Sequence, residues 1–503
     1  MKKYNISTFG CFMNVHESEK LAGILEELGY TATNQQQEAD LIIFNTCAVR
    51  KTAEARAEGH IGYTKKFKNE RVRGLFELKS KSNSKAESAS TSNSKTESTS
   101  TSKSGTESAS KSRDKSKSEP IIAVGGCITQ LEKRAKEIAE KFPFVDIIFG
   151  THNLIEFKRL LSEYEKARET SIQTGKPKKQ IISITHETDE NAEVPISRTS
   201  GVNAWVNIIY GCNNFCSFCI VPYVRGREKS RKPGDIVAEV EGLVAAGYKS
   251  VTLLGQNVNS YGAGLESFAD SENQFANLLT RLNKIDGDFW IKFMTSHPKD
   301  FTSDVIDAIA KSEKVCKAIH LPIQSGSSKV LKDMNRPYTK ENYLSLVAEI
   351  KQKIPGVTLT TDIIVGFPGE SEQDFLDTLS VVEQVGFDNA FTYIYNKREG
   401  TAAALMDKQI CPEVKKQRIQ KLIETVNKTS AQKATALVGT THKVLVEEVD
   451  KKSKPDKKGN ATMLGSTYTN RFVSFTGNAD DVGKFVNVKI VSVNGTRLQG
   501  VLV

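Results

Sequence analysis

The sequence predicts an α/β protein of several domains: an N-terminal α/β domain with a parallel sheet, a partial (β/α)6 barrel and a small C-terminal antiparallel β-barrel. Three observations predict it. Up to residue 160, β-type runs alternate with helical patterns, as in a mostly parallel sheet. Between 203 and about 400, six more strand-like runs are separated by helical stretches, which favours a parallel barrel that six strands leave incompletely closed. From about 437 the pattern changes to short alternating strands joined by Gly and Asn turns. The 503-residue length agrees, because single cores stop growing near roughly 250 to 300 residues.

Taken in order, YNISTFG, LIIFNT and IIAVGG are the strands of the first domain, 1–160, with HESEKLAGILEELG and TQLEKRAKEIAEKF as helices between them. The last two strands are separated by SNSKAESAST, SNSKTESTST and SKSGTESASK, one ten-residue unit written three times at 82–111. The unit has no apolar residue larger than Ala and cannot bury a face, so the insertion 79–119 is expected to be disordered. Residues 161–197, polar and of mixed charge, read as a linker. The barrel, 198–434, carries AWVNIIYG, SVTLLGQN, FWIKFMT, AIHLPIQ, TLTTDIIVG and AFTYIY. Its helices show their punctuation: PGDIVAEVEGLVAAG opens on Pro and Asp and stops at Gly, and ENYLSLVAEIKQKIP ends at Pro355. HKVLVEEV, RFVSFTG, FVNVKIVSV and LQGVLV then form the small barrel, 437–503.

No run of 18 or more apolar residues occurs and the start MKKYNISTFGC lacks the apolar core of a secretion signal, so a soluble, cytoplasmic chain without a membrane partner is expected. Thiols stay reduced there, so the eight cysteines read as metal ligands or core residues, not disulfides. Seventy basic and sixty acidic residues leave a surplus of +10. Residues 79–119 hold nine Lys/Arg and five Asp/Glu, so four of those charges sit in the insertion. A mildly basic body remains, suited to a polyanionic partner.

Cys212, Cys216 and Cys219 form C-x3-C-x2-C directly after AWVNIIYG, at the carboxyl end of the first barrel strand, where barrel active sites form. Three thiolates hold three irons of a cubane and leave one open for an outside ligand. S-adenosylmethionine (SAM) can supply amino and carboxylate groups to that iron, and an electron from the cluster then cleaves its sulfonium bond to a 5′-deoxyadenosyl radical. A zinc site is the other reading, but zinc normally takes four closed ligands and no fourth Cys or His lies nearby in sequence. Cys11, Cys47 and Cys127 each follow an apolar strand, in TFGC, FNTC and VGGC. Strand ends line one edge of a parallel sheet, so these three could converge on one point; three buried small hydrophobes are the alternative. Cys316 and Cys411 have no motif partners and read as inert. His297 in SHP and His320 in HLP sit at strand ends, suited to packing or cofactor hydrogen bonds more than to metal.

The run GCNNFCSFCIVPYVRGRE at 211–228 resembles the signature of the radical SAM methylthiotransferases, nearest to the MiaB type that acts on transfer RNA. LLGQNVNSYG, TSHP, HLPIQSGS, VLKDMNRPYT and TDIIVGFPGE read as the same family's blocks, and only the insertion departs from the pattern. The resemblance implies two 4Fe-4S clusters, with Cys11, Cys47 and Cys127 holding a second one that carries the sulfur to be transferred. It implies two SAM per product, one methylating that sulfur and one driving its attachment to carbon 2 of N6-isopentenyl-adenosine in the tRNA anticodon stem-loop. It also implies an electron donor such as flavodoxin or ferredoxin, a sulfur donor system and a monomer. Gly255 and Gln256 after the second barrel strand, Gln324 and Ser325 after the fourth and Gly366 after the fifth are the expected SAM contacts, with turn or packing roles as the other reading of each. Arg225 and Arg227, beside the cysteine loop, are expected to position the target nucleotide.

The tail resembles a TRAM domain. From 440 to 503 it carries ten basic and six acidic residues, with Lys451, Lys452, Lys454, Lys457 and Lys458 clustered. Small RNA-binding barrels pair basic loops with exposed aromatics, and Tyr468, Phe472 and Phe475 are available. Two rivals stay open: the same chemistry on threonylcarbamoyl-adenosine tRNA or a ribosomal protein, and a noncatalytic iron-sulfur RNA-binding protein.

Overall fold

The computed structural model describes residues 1–49, 51–68, 119–175, 177–186, 194–265, 273–453 and 459–503. The Ser-rich repeat with its expected disorder, and Lys454, Lys457 and Lys458, lie outside the described residues. Two compact units result, one of Met1–Gly10 with Leu21–Thr185 and one of Cys11–Lys20 with His186–Val503.

The first unit is built on a parallel sheet of β1 (Lys3–Thr8), β2 (Thr31–Ala32), β3 (Leu41–Thr46), β4 (Ile121–Gly126), β5 (Ile147–Phe149) and β6 (Ile181–Ser183), in the order β2-β1-β3-β4-β5-β6. Every residue of β3 and β4 is buried, which is why both read as unbroken apolar runs. The helices are α1 (Phe12–Glu27), whose first residues belong to the second unit, α2 (Lys51–Tyr63), α3 (Glu132–Lys141) and α4 (Phe157–Thr174). The expected linker 161–197 is corrected here. Its first part is α4, which buries Phe157, Leu160, Leu161 and Tyr164, and its middle supplies β6 at the sheet edge. Four apolar residues at i, i+3, i+4 and i+7 carry that helix amid charged neighbours, a stripe easily read as polar chain. Buried Asp146 gathers this corner, accepting from Lys68 Nζ at 2.6 Å and from the Tyr164 hydroxyl.

In the second unit, β7 (Asn203–Asn207) runs into the short β8 (Ile209–Tyr210), which pairs with β9 (Lys229–Ser230). The parallel strands continue as β10 (Ser250–Leu254), β11 (Trp290–Phe293), β12 (Ala318–His320), β13 (Thr358–Val365) and β14 (Asn389–Ile394). They form two trios, β11-β10-β7 and β12-β13-β14, and a parallel bridge from Ile291 to Val315 carries the first toward the second. Around them lie α5 (Val221–Arg225), α6 (Pro233–Ala245), α7 (Gln274–Asn283), α8 (Ser303–Lys311), α9 (Ser328–Asp333), α10 (Lys340–Lys353), α11 (Glu372–Val385) and α12 (Pro412–Thr435). Val251, Ile291, Ile319 and Ile363 share one apolar core with the helices packed around the strands.

The chain ends in a closed barrel of β15 (Thr441–Val449), β16 (Ala461–Thr467), β17 (Phe472–Gly477), β18 (Phe485–Asn494) and β19 (Arg497–Leu502), ordered β15-β16-β17-β19-β18. Its pairs are antiparallel except β17 with β19. The barrel packs on the β/α body through Val202, Trp290, Cys316 and Leu445, with Tyr468 and Phe485 against them. Cys316 is therefore core, and burial pushes its thiol up to about 12. The Tyr468 hydroxyl donates toward the carbonyls of Val315 at 2.7 Å and Glu313 at 2.8 Å. The expected aromatic face is corrected accordingly: Tyr468 docks the barrel, Phe475 is 3% exposed inside it, and of the three Phe472, at 64%, faces solvent.

Candidate active site

Strand β8 delivers the chain into the cysteine loop at Gly211. This residue has φ +79°, and a Cβ there would lie 2.0 Å from the Arg227 carbonyl oxygen, so the turn accepts glycine alone. The Cys212 amide donates to Gly226 O at 3.1 Å and the Cys219 amide to Cys216 O at 2.9 Å. The turn after α9 pins the other side, with Ser217 N donating to Met334 O at 3.0 Å and Asn335 Nδ2 to Phe215 O at 3.0 Å. Arg336, 5% exposed, reaches Cys216 Sγ from Nη1 at 3.5 Å and is held by Pro322 O at 2.7 Å. Sequence reasoning missed Arg336. It lies in the block VLKDMNRPYT, but nothing in the spacing ties it to a cysteine far upstream.

Burial pushes the Cys212 thiol up to about 11 and the Cys219 thiol to about 12, and the neighbouring Cys216 adds repulsion in both cases. Thiols raised in this way ionise readily only against a strong local positive charge, which iron supplies. Among the described residues no three His, Cys, Asp or Glu side chains converge closely enough to hold a single metal ion. A cubane asks something different, since each thiolate takes a separate iron. The donor set fits such a cluster.

The strand ends beside the loop fit a polar ligand as well. Asn207 Oδ1, Asn257 Oδ1, both amide atoms of Asn259, Ser296 Oγ and His297 Nε2 are buried with no hydrogen-bond partner among the described residues. They lie at or just beyond the carboxyl ends of β7, β10 and β11, which are neighbours in one sheet. Each unpaired group costs about 1–3 kcal/mol, so the cluster of them suits a ligand carrying amino, carboxylate and hydroxyl groups, as SAM does. His297 stays neutral, because burial and the nearby Arg336 push it down to about 2. Its Nδ1 accepts from Lys299 N at 3.3 Å, which leaves the proton on Nε2.

The five expected SAM contacts have work within the chain. The space beside Gly255 is taken by Ile209, whose Cγ2 would lie 2.4 Å from an added Cβ. Gln256 Oε1 accepts from Gly211 N at 2.5 Å and so holds the start of the cysteine loop. Gln324, with φ +71°, bridges β13 by donating to Asp362 O and accepting from Ile364 N, each at 2.9 Å. Ser325 is fully buried and accepts from Ser327 N at 3.2 Å. Gly366 donates to Glu370 Oε1 at 2.9 Å, with the Lys415 side chain crossing over it. His320 Nδ1 lies 2.9 Å from Thr360 Oγ1 and its ring 5.8 Å from the Phe391 ring, a packing role.

Arg225 is corrected. Expected to meet RNA, it is 3% exposed and its guanidinium is engaged inside the protein by Glu17 at 2.6 Å. Arg227 is exposed and lies over the Phe215 ring at 4.3 Å, and Phe215 in turn meets exposed Tyr223 edge-on at 5.9 Å. Lys451 and Lys452 are exposed on the barrel. In the first unit the β3 and β4 ends bring Cys47 and Cys127 together: Gly126, at φ +101°, has no room for a Cβ beside Thr46 O, and Cys127 N donates to that oxygen at 2.9 Å. Both cysteines are buried, whereas Cys11, following β1, is exposed, as is Cys411 at the head of α12.

The Radical SAM superfamily model matches residues 206–382, and the model of the Uncharacterized protein family UPF0004 matches 3–76. A tRNA-2-methylthio-N(6)-dimethylallyladenosine synthase of Carboxydothermus hydrogenoformans is 46% identical over 502 residues, covering 100% of this chain and 99% of that protein. The chain belongs to the MiaB-type radical SAM methylthiotransferases. A Clostridium botulinum synthase of the same name is 46% identical over 99% of this methylthiotransferase and 96% of its own length. In fold it is similar to the radical SAM methyltransferase TsrM of Kitasatospora setae, with a TM-score of 0.52 and 13% identity over 80% of this chain and 74% of that one. The methylthiotransferase's first family match contains the whole cysteine loop, and its second contains Cys11 and Cys47.

Proposed function

We propose that this protein is a tRNA-2-methylthio-N6-dimethylallyladenosine synthase, placing a methylthio group on carbon 2 of N6-isopentenyl-adenosine next to the anticodon. The observation that carries the chemistry is the cysteine loop bordered by buried, unpartnered polar atoms at the ends of β7, β10 and β11. The substrate follows from relatives of that name, 44–46% identical along nearly the whole chain. Cys212, Cys216 and Cys219 hold one 4Fe-4S cluster, and Cys11, Cys47 and Cys127 hold the second, supported by the adjacency of β1, β3 and β4, whose ends they follow. Bound cluster and SAM supply the one-electron chemistry that an unactivated aromatic C–H requires, which no side-chain base could replace.

The chain's own residues shape the rest. Asn207, Asn257, Asn259, Ser296 and His297 offer the polar partners for SAM, while the backbone turns at Gly255, Gln256, Gln324, Ser325 and Gly366 form the walls of its cleft. Arg227 and Phe215 present a cation over an aromatic face beside the loop, a surface on which an unstacked loop base can rest. The C-terminal barrel, of TRAM character, offers Lys451, Lys452 and Phe472 to the RNA. Two SAM are used per product, one for the methyl group and one for the radical. The enzyme works as a cytoplasmic monomer, served by an electron donor such as flavodoxin or ferredoxin and by a sulfur donor system. Among the described residues no helix is long and apolar enough to cross a membrane. Mass spectrometry of tRNA nucleosides from cells lacking the protein tests the reading. The 2-methylthio derivative should vanish while N6-isopentenyl-adenosine accumulates; loss of a threonylcarbamoyl derivative instead would reassign the substrate.

A further inference from the structure

We infer that Glu17 is a positioning residue that registers the Cys11 segment to the radical loop. Its carboxylate is gripped from both flanks of that loop. Tyr210, immediately before Gly211, donates its hydroxyl to Glu17 Oε1 at 3.1 Å. Arg225, the last residue of α5 on the far flank, donates from Nη1 to Oε1 at 2.6 Å and from Nη2 to Oε2 at 3.3 Å. The same Nη2 donates to Asn14 Oδ1 at 3.2 Å, and the Asn14 backbone amide donates to Cys11 O at 3.0 Å, a link that persists when the Cys11 sulfur is a thiolate. Asn14 therefore joins Cys11 to the guanidinium that closes the radical loop.

All the linking groups are shut away from water: Asn14 is 0% exposed, Arg225 3%, Glu17 6% and Tyr210 9%. Ring packing supports the ion pair, with Phe12 stacked on Trp205 at 4.5 Å and Met13 against Tyr210 and Leu254. A buried ion pair adds little stability over an apolar pair of similar volume, so its value lies in fixing one geometry. Here that geometry ties Cys11 to both ends of the loop bearing Cys212, Cys216 and Cys219. The inference rests on the reading of Cys11 as a ligand of the sulfur-carrying cluster. Glu17 then holds the Cys11 ligand in register with the radical loop without touching the reacting atoms.

The test uses the full-length, reconstituted enzyme with tRNA, measuring iron, 5′-deoxyadenosine and methylthio product together. Two variants are needed: Glu17→Gln, and Glu17→Leu combined with Arg225→Met, which removes both buried charges so that neither is left uncompensated. Both should keep their iron and their SAM cleavage, while product per 5′-deoxyadenosine falls roughly tenfold or more, since misplacement by about 1 Å costs up to ~100-fold. Arg225→Lys should fall in between, because an ammonium keeps the charge but lacks the planar fork that meets Glu17 and Asn14 in fixed directions. If product and SAM cleavage decline in equal proportion, Glu17 merely supports the radical loop and the inference is overturned; an unchanged ratio overturns it too. Cys11→Ala in the same assay keeps the two claims apart. Normal product from that variant would remove the cluster reading itself, whereas an inactive Cys11→Ala beside fully coupled Glu17 variants would remove only the positioning role.

Discussion

The guanidinium of Arg336 lies 3.5 Å from the sulfur of Cys216, although 120 residues separate the two in sequence. A positive charge and a hydrogen bond at a cluster sulfur favour the reduced, more negative state of the cluster. Arg336 is buried, so solvent does little to screen that effect.

Arg336→Met should therefore lower the midpoint potential of the SAM-binding cluster. A shift of about 60 mV corresponds to one tenfold change in a one-electron equilibrium, and a shift of at least that size is expected. An electron paramagnetic resonance redox titration reads it directly; an unchanged potential would show that Arg336 serves the Pro322 turn alone.

Anaerobically reconstituted protein should hold about eight irons, two 4Fe-4S clusters. Changing Cys212, Cys216 and Cys219 together to Ala should leave about half of that and abolish 5′-deoxyadenosine formation. Cys47→Ala or Cys127→Ala should do the reverse, preserving SAM cleavage while methylthio product disappears. Iron assay and chromatography of the two products decide both, and 5′-deoxyadenosine from the triple variant would displace the radical site.

RNA capture and base placement should separate by salt. Replacing Lys451 and Lys452 with Ala should flatten the salt dependence of tRNA binding by about 0.7 for each phosphate that is no longer neutralised. Phe215→Ala should instead lower turnover at saturating tRNA, by about the 1–3 kcal/mol that stacking of one base is worth, with little change in slope. Steady-state kinetics across a salt series distinguishes the two.

His16 makes stability depend on pH. Burial pushes it from the ordinary 6.5 down to about 4, so the folded chain holds it neutral while the unfolded chain takes up a proton. Its contribution is complete above about pH 6.5 and is lost progressively as pH falls toward about 4, amounting to about 3 kcal/mol. Denaturant unfolding at about pH 7 and about pH 5 should show the loss, and His16→Gln should shrink it.

The three-part architecture and the placement of the cysteines after strand ends were legible because strand ends followed by Cys are local patterns. What escaped depended on distance along the chain. The burial of Arg225 follows from Glu17, on a segment that belongs by its packing to the second unit although it is written at the start of the sequence. A basic residue at the end of a short helix looks solvent-facing until a distant carboxylate claims it. Helix α4 escaped for a different reason: its four buried residues are few enough that charge dominates the local composition. The polar atoms of Asn259 and His297 were equally hidden, since a missing partner can be recognised only once the surrounding atoms are in place.

The seam around Trp290 changes what the C-terminal barrel is. Val202, Trp290 and Cys316 come from the β/α body and Leu445 from the barrel, yet they make one apolar cluster, and Tyr468 seals its edge with backbone carbonyls of the body. Cutting the chain near 440 would strip the cover from that cluster and leave those carbonyls to water. A truncated enzyme that bound RNA poorly would thus also be a wounded one, prone to stick to itself through the newly bared indole. The barrel is thus part of the body's fold as well as the carrier of exposed Lys451 and Phe472.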